Sequence, residues 1–221
     1  NRRAFSVTRD GTGYLRPGTN SIVLCQGGGW YREGLPGVAS AGPLVRAQLE
    51  AELADGARVV VATDPTWKAH PSPLGSIDVG HPGHYGGERY DAGADIAAWA
   101  APDFDAGGWP DAVAVEPVPH AVSAQPVEKN AVLRRYDPAR IRFLRENEWL
   151  VDFGTNLTGL FEIRFQGLAP GQVVKLEYAD YLADDGFDTF GQVDEYTAAG
   201  GGTETGLLYT SIAAAGLPRV D

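Results

Sequence analysis

Gly159-Leu160-Phe161-Glu162-Ile163-Arg164-Phe165-Gln166-Gly167 sets Leu160, Glu162, Arg164 and Gln166 against Phe161, Ile163 and Phe165. Successive side chains of an extended strand point to opposite faces, so this alternation describes a strand buried on one side. The same grammar repeats around it. Residues 148–154 (Glu-Trp-Leu-Val-Asp-Phe-Gly) form a strand closing on glycine, Pro170-Gly171 turns the chain, and residues 172–179 make the next strand. Asp184-Asp185-Gly186 turns again, and residues 191–197 run into a glycine cluster at 200–202. Short strands with frequent turns predict an antiparallel sandwich.

The first half carries the same pattern less strictly. Val45, Ala47, Leu49, Ala51 and Leu53 share one face of a segment whose other face is Arg46, Gln48, Glu50 and Glu52. Asp55-Gly56 follows, then the β-branched run Arg58-Val59-Val60-Val61-Ala62-Thr63. Asp-Gly between two such runs predicts a hairpin with a type I′ turn. A helix over 44–53 competes, because Ala, Leu, Glu and Gln favour it; the turn and the second arm favour the strand. Residues 70–95, rich in Pro, Gly and His, read as a loop. Residues 113–126 hold Pro117, Pro119 and Pro126 among Val and Ala and read as an extended linker, since proline lacks a ladder donor. The expectation is an all-β chain of two antiparallel, jelly-roll-like β-sandwich domains in tandem, residues 1–125 and 126–221, with few or no helices.

The 221 residues are 43% hydrophobic and 21% charged, the balance of a chain able to build a core. A formal charge of −11 repels phosphate backbones and anionic lipid, which argues against nucleic acid and membrane surfaces as partners. A neutral ligand such as a sugar is unaffected. No apolar run is long enough to span a bilayer as a helix, and the start, Asn1-Arg2-Arg3-Ala4-Phe5, has neither an initiating Met nor the apolar core of a signal peptide. Cys25 is the single cysteine, so no internal disulfide forms; within Ser21-Ile22-Val23-Leu24-Cys25 it reads as a small buried apolar residue. A soluble cytoplasmic or secreted location fits equally.

Trp149-Leu150-Val151-Asp152-Phe153-Gly154-Thr155-Asn156-Leu157-Thr158-Gly159 resembles the "DFGQN-x-x-G" strand of the concanavalin-like β-domain of bacterial α-L-rhamnosidases. That family continues with "G-x-x-V-x-L-x-Y-A-E-x-L-x-x-D-G" and "Q-x-D-x-Y". Here Gly171 to Gly186 and Gln192-Val193-Asp194-Glu195-Tyr196 follow in the same order and spacing. The first half is similar to the family's N-terminal β-domain. The matching residues are Tyr14-Leu15-Arg16-Pro17-Gly18-Thr19-Asn20, Gly28-Gly29-Trp30-Tyr31, Asp64-Pro65-Thr66-Trp67-Lys68, Glu88-Arg89-Tyr90-Asp91-Ala92 and Phe104-Asp105-Ala106-Gly107-Gly108-Trp109. Two departures stand out. The strands that normally precede Phe5-Ser6-Val7-Thr8 are missing, and the family's final strand dissolves after Leu207-Leu208-Tyr209-Thr210-Ser211-Ile212, so the second sandwich is expected to be incomplete.

The resemblance implies accessory sandwiches of an enzyme that hydrolyses terminal α-L-rhamnose from glycosides, with rhamnose-containing carbohydrate met through a catalytic α/α barrel. That barrel, which carries the family's acid and base, has no counterpart in this sequence. No catalytic residue, cofactor or metal is therefore carried over, and the chain is expected to be inactive alone. A stand-alone carbohydrate-binding module and an inactive truncated product are the alternatives.

Several residue groups compete as sites. Asp180, Asp184, Asp185 and Asp188 cluster around an Asp-Gly turn, where aspartate serves backbone hydrogen bonding, and they lack calcium-loop spacing. His81 and His84, with His70 nearby and His120 in the linker, lack the ligand set of a zinc site. Tyr85, Tyr90 and Trp99 are the candidate carbohydrate contacts, because aromatic faces stack on the apolar faces of pyranoses; the competing reading is that they fill or cap the sandwich. Trp30, Trp67, Trp109 and Trp149 read as core or interdomain packing. Gly27-Gly28-Gly29 lacks the lysine of a phosphate loop and reads as a turn. Asn156-Leu157-Thr158 is a formal glycosylation sequon that lies within the strand motif, where a structural asparagine is preferred.

Overall fold

The computed structural model describes residues 3–27, 44–77, 86–116, 121–128, 131–179, 182–183, 186–187 and 189–214. The fold is all-β: the described residues form fourteen strands and a single 3₁₀ turn at Ala92–Ala94. Two compact units result. One comprises residues 1–71 and 96–131, the other residues 72–95 and 132–221. Residues 72–95 group with residues 132–221 in this division.

In the first unit, β2 (Gln48–Glu52) pairs antiparallel with β3 (Arg58–Ala62), with Leu49 opposite Val61 and Ala51 opposite Val59. The expected hairpin forms, but its turn is not type I′. Gly56 alone lies in the left-handed region (φ +82°). Its N–H donates to the Leu53 carbonyl at 2.9 Å, and the Leu53 N–H donates to the Ala57 carbonyl at 2.8 Å. This is a three-residue loop. The extra residue lets Asp55 avoid the left-handed penalty and accept the Ala57 N–H on Oδ1 at 2.9 Å.

A second correction concerns the linker: Ala121–Ala124 form β6, which pairs in parallel with β1 (Arg3–Ser6), Phe5 opposite Ser123. Pro126 lies just past β6, where its missing donor disrupts no ladder. The Trp67 indole N–H donates to the Ala62 carbonyl at 3.0 Å, and the Trp109 ring packs against His70 and Phe104 at 4.7 and 5.1 Å. Cys25 is exposed, contrary to the expectation of burial, because residues 21–27 join no strand and are exposed along their whole length.

The second unit is built on a four-stranded sheet in the order β10 (Val173–Glu177), β13 (Val193–Thr197), β5 (Gly87–Asp91), β4 (Leu74–Ile77). The segment read as one loop over 70–95 thus contributes two strands. Their residues, Leu-Gly-Ser-Ile and Gly-Glu-Arg-Tyr-Asp, carry no alternation strong enough to announce them. The β13–β5 pairing is parallel, with Tyr196 opposite Tyr90. The long strand β9 (Leu157–Gln166) pairs antiparallel with β14 (Thr203–Ala214) from Thr203 opposite Gln166 to Ala214 opposite Leu157.

This ribbon lies over the sheet. Phe165 from β9 meets Tyr196 at 4.7 Å between ring centroids, and Ile163, Val174, Leu168 and Tyr90 pack around them. Two smaller hairpins complete the unit: β7 (Arg140–Arg145) with β8 (Glu148–Asp152), and β11 (Leu182–Ala183) with β12 (Gly186–Phe187). Among the described residues, the buried apolar side chains are Phe165, Tyr178, Tyr196 and Ala198, all in this unit.

Candidate functional site

Gln192, Asp194, Tyr196 and Ala198 alternate with half-buried neighbours along β13, so the Gln-x-Asp-x-Tyr segment presents its three named side chains to the interior. Asp194 is 0% exposed. Its Oδ1 accepts the backbone N–H of Glu88 at 2.7 Å and its Oδ2 accepts the Tyr178 hydroxyl at 2.7 Å. One carboxylate thereby ties β5, β13 and the end of β10 together. Burial pushes its pKa up, with the two hydrogen bonds pulling the other way. Gln192 is also buried, and its Oε1 has no hydrogen-bond partner.

Backbone proximity explains the glycines beside Asp194. Gly86 accepts the Val193 N–H at 3.2 Å. A Cβ on Gly87 would sit 1.5 Å from the Val193 carbonyl oxygen. Only glycine lets the strands approach this closely.

Tyr196 leads outward from this point. Its hydroxyl donates to Glu204 Oε2 at 3.0 Å. Glu204 also accepts the backbone N–H groups of Ala199 and Gly200 at 2.8 and 3.0 Å, which hold its carboxyl below the usual range. Tyr90 stacks on Tyr196 at 5.7 Å, with an interplanar angle of 18°. Both phenols are pushed up to about 12, first by burial and then by the carboxylates bonded to them, Asp95 for Tyr90 and Glu204 for Tyr196. Neither phenol ionises near neutral pH. The arrangement holds strands together.

The residues singled out from sequence are distributed widely. Tyr90 is half-buried in the second unit, inside the Tyr196–Phe165 ring cluster. Trp99 is half-buried in the first unit, in a turn where its backbone N–H donates to the Ile96 carbonyl at 3.4 Å. Tyr85, His81, His84, His120, Trp30, Gly28, Gly29 and the aspartates at 180, 184, 185 and 188 lie outside the described residues. His70 Nδ1 lies 2.7 Å from the Pro71 carbonyl, and the ring packs on Trp109. No group of three His, Cys, Asp or Glu side chains able to hold a metal occurs among the described residues.

Asn156 is exposed just ahead of β9. Trp149, read as packed, is 63% exposed, because β8 turns Asp152 and not Trp149 inward. The reading from sequence missed the buried role of Asp194 and Tyr196, although their two-residue spacing was the available signal.

The sequence model of the alpha-L-rhamnosidase N-terminal domain matches residues 1–134, and that of the bacterial alpha-L-rhamnosidase concanavalin-like domain matches residues 142–211. An alpha-L-rhamnosidase of Streptomyces avermitilis is 31% identical over 215 residues, covering 92% of this chain and 20% of the relative. One from Formosa agariphila is 26% identical over 224 residues, covering 92% and 23%. The chain therefore spans about a fifth of the length of these relatives.

Among solved structures, the alpha-L-rhamnosidase from Dictyoglumus thermophilum superimposes with a TM-score of 0.66 at 23% identity, over 76% of this chain and 19% of that one, a likeness of fold. The Streptomyces avermitilis alpha-L-rhamnosidase complexed with L-rhamnose superimposes with a TM-score of 0.59 at 30% identity, over 72% and 16%. With both β-domain models matched in order across nearly the whole sequence, the chain belongs to the bacterial α-L-rhamnosidase family.

Proposed function

We propose that these residues are an accessory, non-catalytic β-sandwich region of an α-L-rhamnosidase, and that the carboxyl groups cleaving terminal α-L-rhamnose from a glycoside belong to polypeptide outside them. The supporting observation is the employment of the two buried carboxylates among the described residues. Glycoside hydrolysis takes a pair of carboxyl groups about 5–9.5 Å apart, one of them kept protonated and both facing the sugar. Asp194 is bonded on both oxygens to strand partners. Asp152 accepts the Gly154 N–H at 2.7 Å on Oδ1 and faces Arg140 at 3.4 Å on Oδ2. Both serve the fold. The N-terminal and concanavalin-like domains would then act as a support for the catalytic part and meet rhamnose-containing carbohydrate only through it.

A second reading, a free-standing carbohydrate-binding module, draws on the exposed ring of Trp149. In that reading Tyr85, Tyr90 and Trp99 are the further contacts. Incubating the pure chain with an aryl α-L-rhamnoside, and titrating it with L-rhamnose in a calorimeter, tests both. Silence in each assay is the expected result. Turnover overturns the accessory reading, and saturable heat replaces it with the binding module.

A further inference from the structure

The hairpin β7–β8 is exposed along the whole of β7 and most of β8, and one of its faces is wholly apolar. Its register sets Ile141 opposite Val151 and Phe143 opposite Trp149, so these four apolar side chains share one face. They are 60, 42, 60 and 63% exposed, in the order Ile141, Val151, Phe143, Trp149. The reverse face carries Arg140, Arg142, Leu150 and Asp152; both arginines are exposed, Leu150 is half-buried, and Asp152 is buried at 7% exposure. A strand pair that buries an aspartate and presents a contiguous apolar quartet to water is the usual signature of an interaction surface.

The occupant follows from chemistry and length. A pyranose is disfavoured. The Phe143 and Trp149 rings meet edge to face at 71°, so they form no flat platform, and the indole N–H of Trp149 is the quartet's single polar group, too few to orient a ring of hydroxyls. A second copy is disfavoured by the charge of −11 that each chain would bring. What fits is an apolar protein face, and the chain covers 20% of its Streptomyces avermitilis relative, leaving most of such a polypeptide to supply one.

We propose that Ile141, Phe143, Trp149 and Val151 form the docking face by which this region packs against the remaining polypeptide of an α-L-rhamnosidase. The proposal rests on the accessory reading above. The test compares the isolated chain with a full-length fusion in which it replaces the matched fifth of the Streptomyces avermitilis enzyme. Each is made with the native residues and as the Phe143→Thr/Trp149→Thr double variant, which keeps strand-favouring side chains.

In the isolated chain, the double variant keeps its circular dichroism and binds less of an apolar-surface dye. In the fusion, Trp149 is protected from oxidative footprinting at least tenfold relative to the isolated chain, and the double variant raises trypsin cleavage of this region at least tenfold. Equal footprinting of Trp149 in both, or a fusion that does not melt cooperatively, overturns the proposal. A concentration-dependent dimer of the isolated chain that the double variant abolishes overturns it in favour of a second copy. Quenching of Trp149 fluorescence by L-rhamnose overturns it in favour of a sugar. Rhamnoside turnover by the isolated chain sinks the accessory reading instead, and leaves the footprinting result to stand by itself.

Discussion

The Tyr178 hydroxyl donates to Asp194 Oδ2 at 2.7 Å, inside the layer where β10, β13 and β5 meet. The same carboxylate caps the Glu88 N–H through its other oxygen at 2.7 Å, so one buried side chain spans the parallel junction of β5 with β13, alongside the ladder and the Arg89–Glu195 ion pair. Hydrogen bonds to a charged acceptor contribute about 1.5–3 kcal/mol each. Asp194→Ala is therefore expected to lower the unfolding free energy by about 2–4 kcal/mol, and Tyr178→Phe by about 1–2 kcal/mol, measured by urea titration. If Asp194→Ala unfolds at the native midpoint, the carboxylate does not hold this junction.

The pH dependence of Asp194 has a definite sign. Burial raises its pKa above the ordinary 3.8, so the folded chain holds the proton more tightly than the unfolded chain. The stabilisation from that proton is complete below pH 3.8 and is lost as pH rises through the raised value. Asp194→Asn does not titrate there. Native stability relative to Asp194→Asn should therefore fall as pH rises from 3.8 through the raised value, as read from paired thermal melts. A constant difference across that range would contradict the assignment.

Glu204 works in the opposite direction. Its carboxylate gathers the Ala199 and Gly200 N–H groups and the Tyr196 hydroxyl, and its pKa lies below the ordinary 4.5. Its contribution is present above pH 4.5 and disappears as pH falls through the lowered value. Glu204→Gln is expected to melt earlier than the native chain at pH 7, with the gap closing in acid. A gap that widens below pH 4.5 would refute this.

At the alkaline end, the stacked phenols of Tyr90 and Tyr196 are both pushed up to about 12 from 10. Their contribution holds below pH 10 and is lost as pH rises through 12. Unfolding should therefore accompany phenolate absorbance, and Tyr196→Phe should weaken that coupling. Titration of both tyrosines before any loss of circular dichroism would show that their burial does not matter.

Gly87 faces the Val193 carbonyl with no room for a side chain, a built Cβ falling 1.5 Å from the oxygen. Gly87→Ala has to separate β5 from β13 and is expected to cost about 3 kcal/mol. Gly56→Ala strains only a turn at φ +82° in open space and should cost about 1–2 kcal/mol. Denaturant midpoints that rank the two in reverse order would undo this reading of the junction.

Alternation made β9 readable from residue order, because a half-buried strand writes its two faces directly into it, and the Pro170-Gly171 turn placed β10 after it. Asp55-Gly56 announced its hairpin for a similarly local reason, since few residues adopt the left-handed backbone that a tight loop requires. The exact turn was not readable, because a two-residue and a three-residue loop share the same Asp-Gly. The strands β4 and β5 were hidden inside a proline- and glycine-rich segment, and β6 inside a proline-rich one. Each owes its extended form to a partner more than a hundred residues away or to the neighbour so placed: Tyr90 pairs with Tyr196, and Phe5 with Ser123.

The candidate sites divide in the same way. Residue order sufficed to place Gln192, Asp194 and Tyr196 in one motif with period two, and the family follows from such motifs. That Asp194 is a strand tie, that Tyr90 belongs to a ring cluster, and that Trp149 faces outward while Asp152 faces in were decided by tertiary structure alone. The physical reason is that local order determines which side chains share a face of a strand. Which face is covered depends on the layer that arrives from elsewhere in the chain.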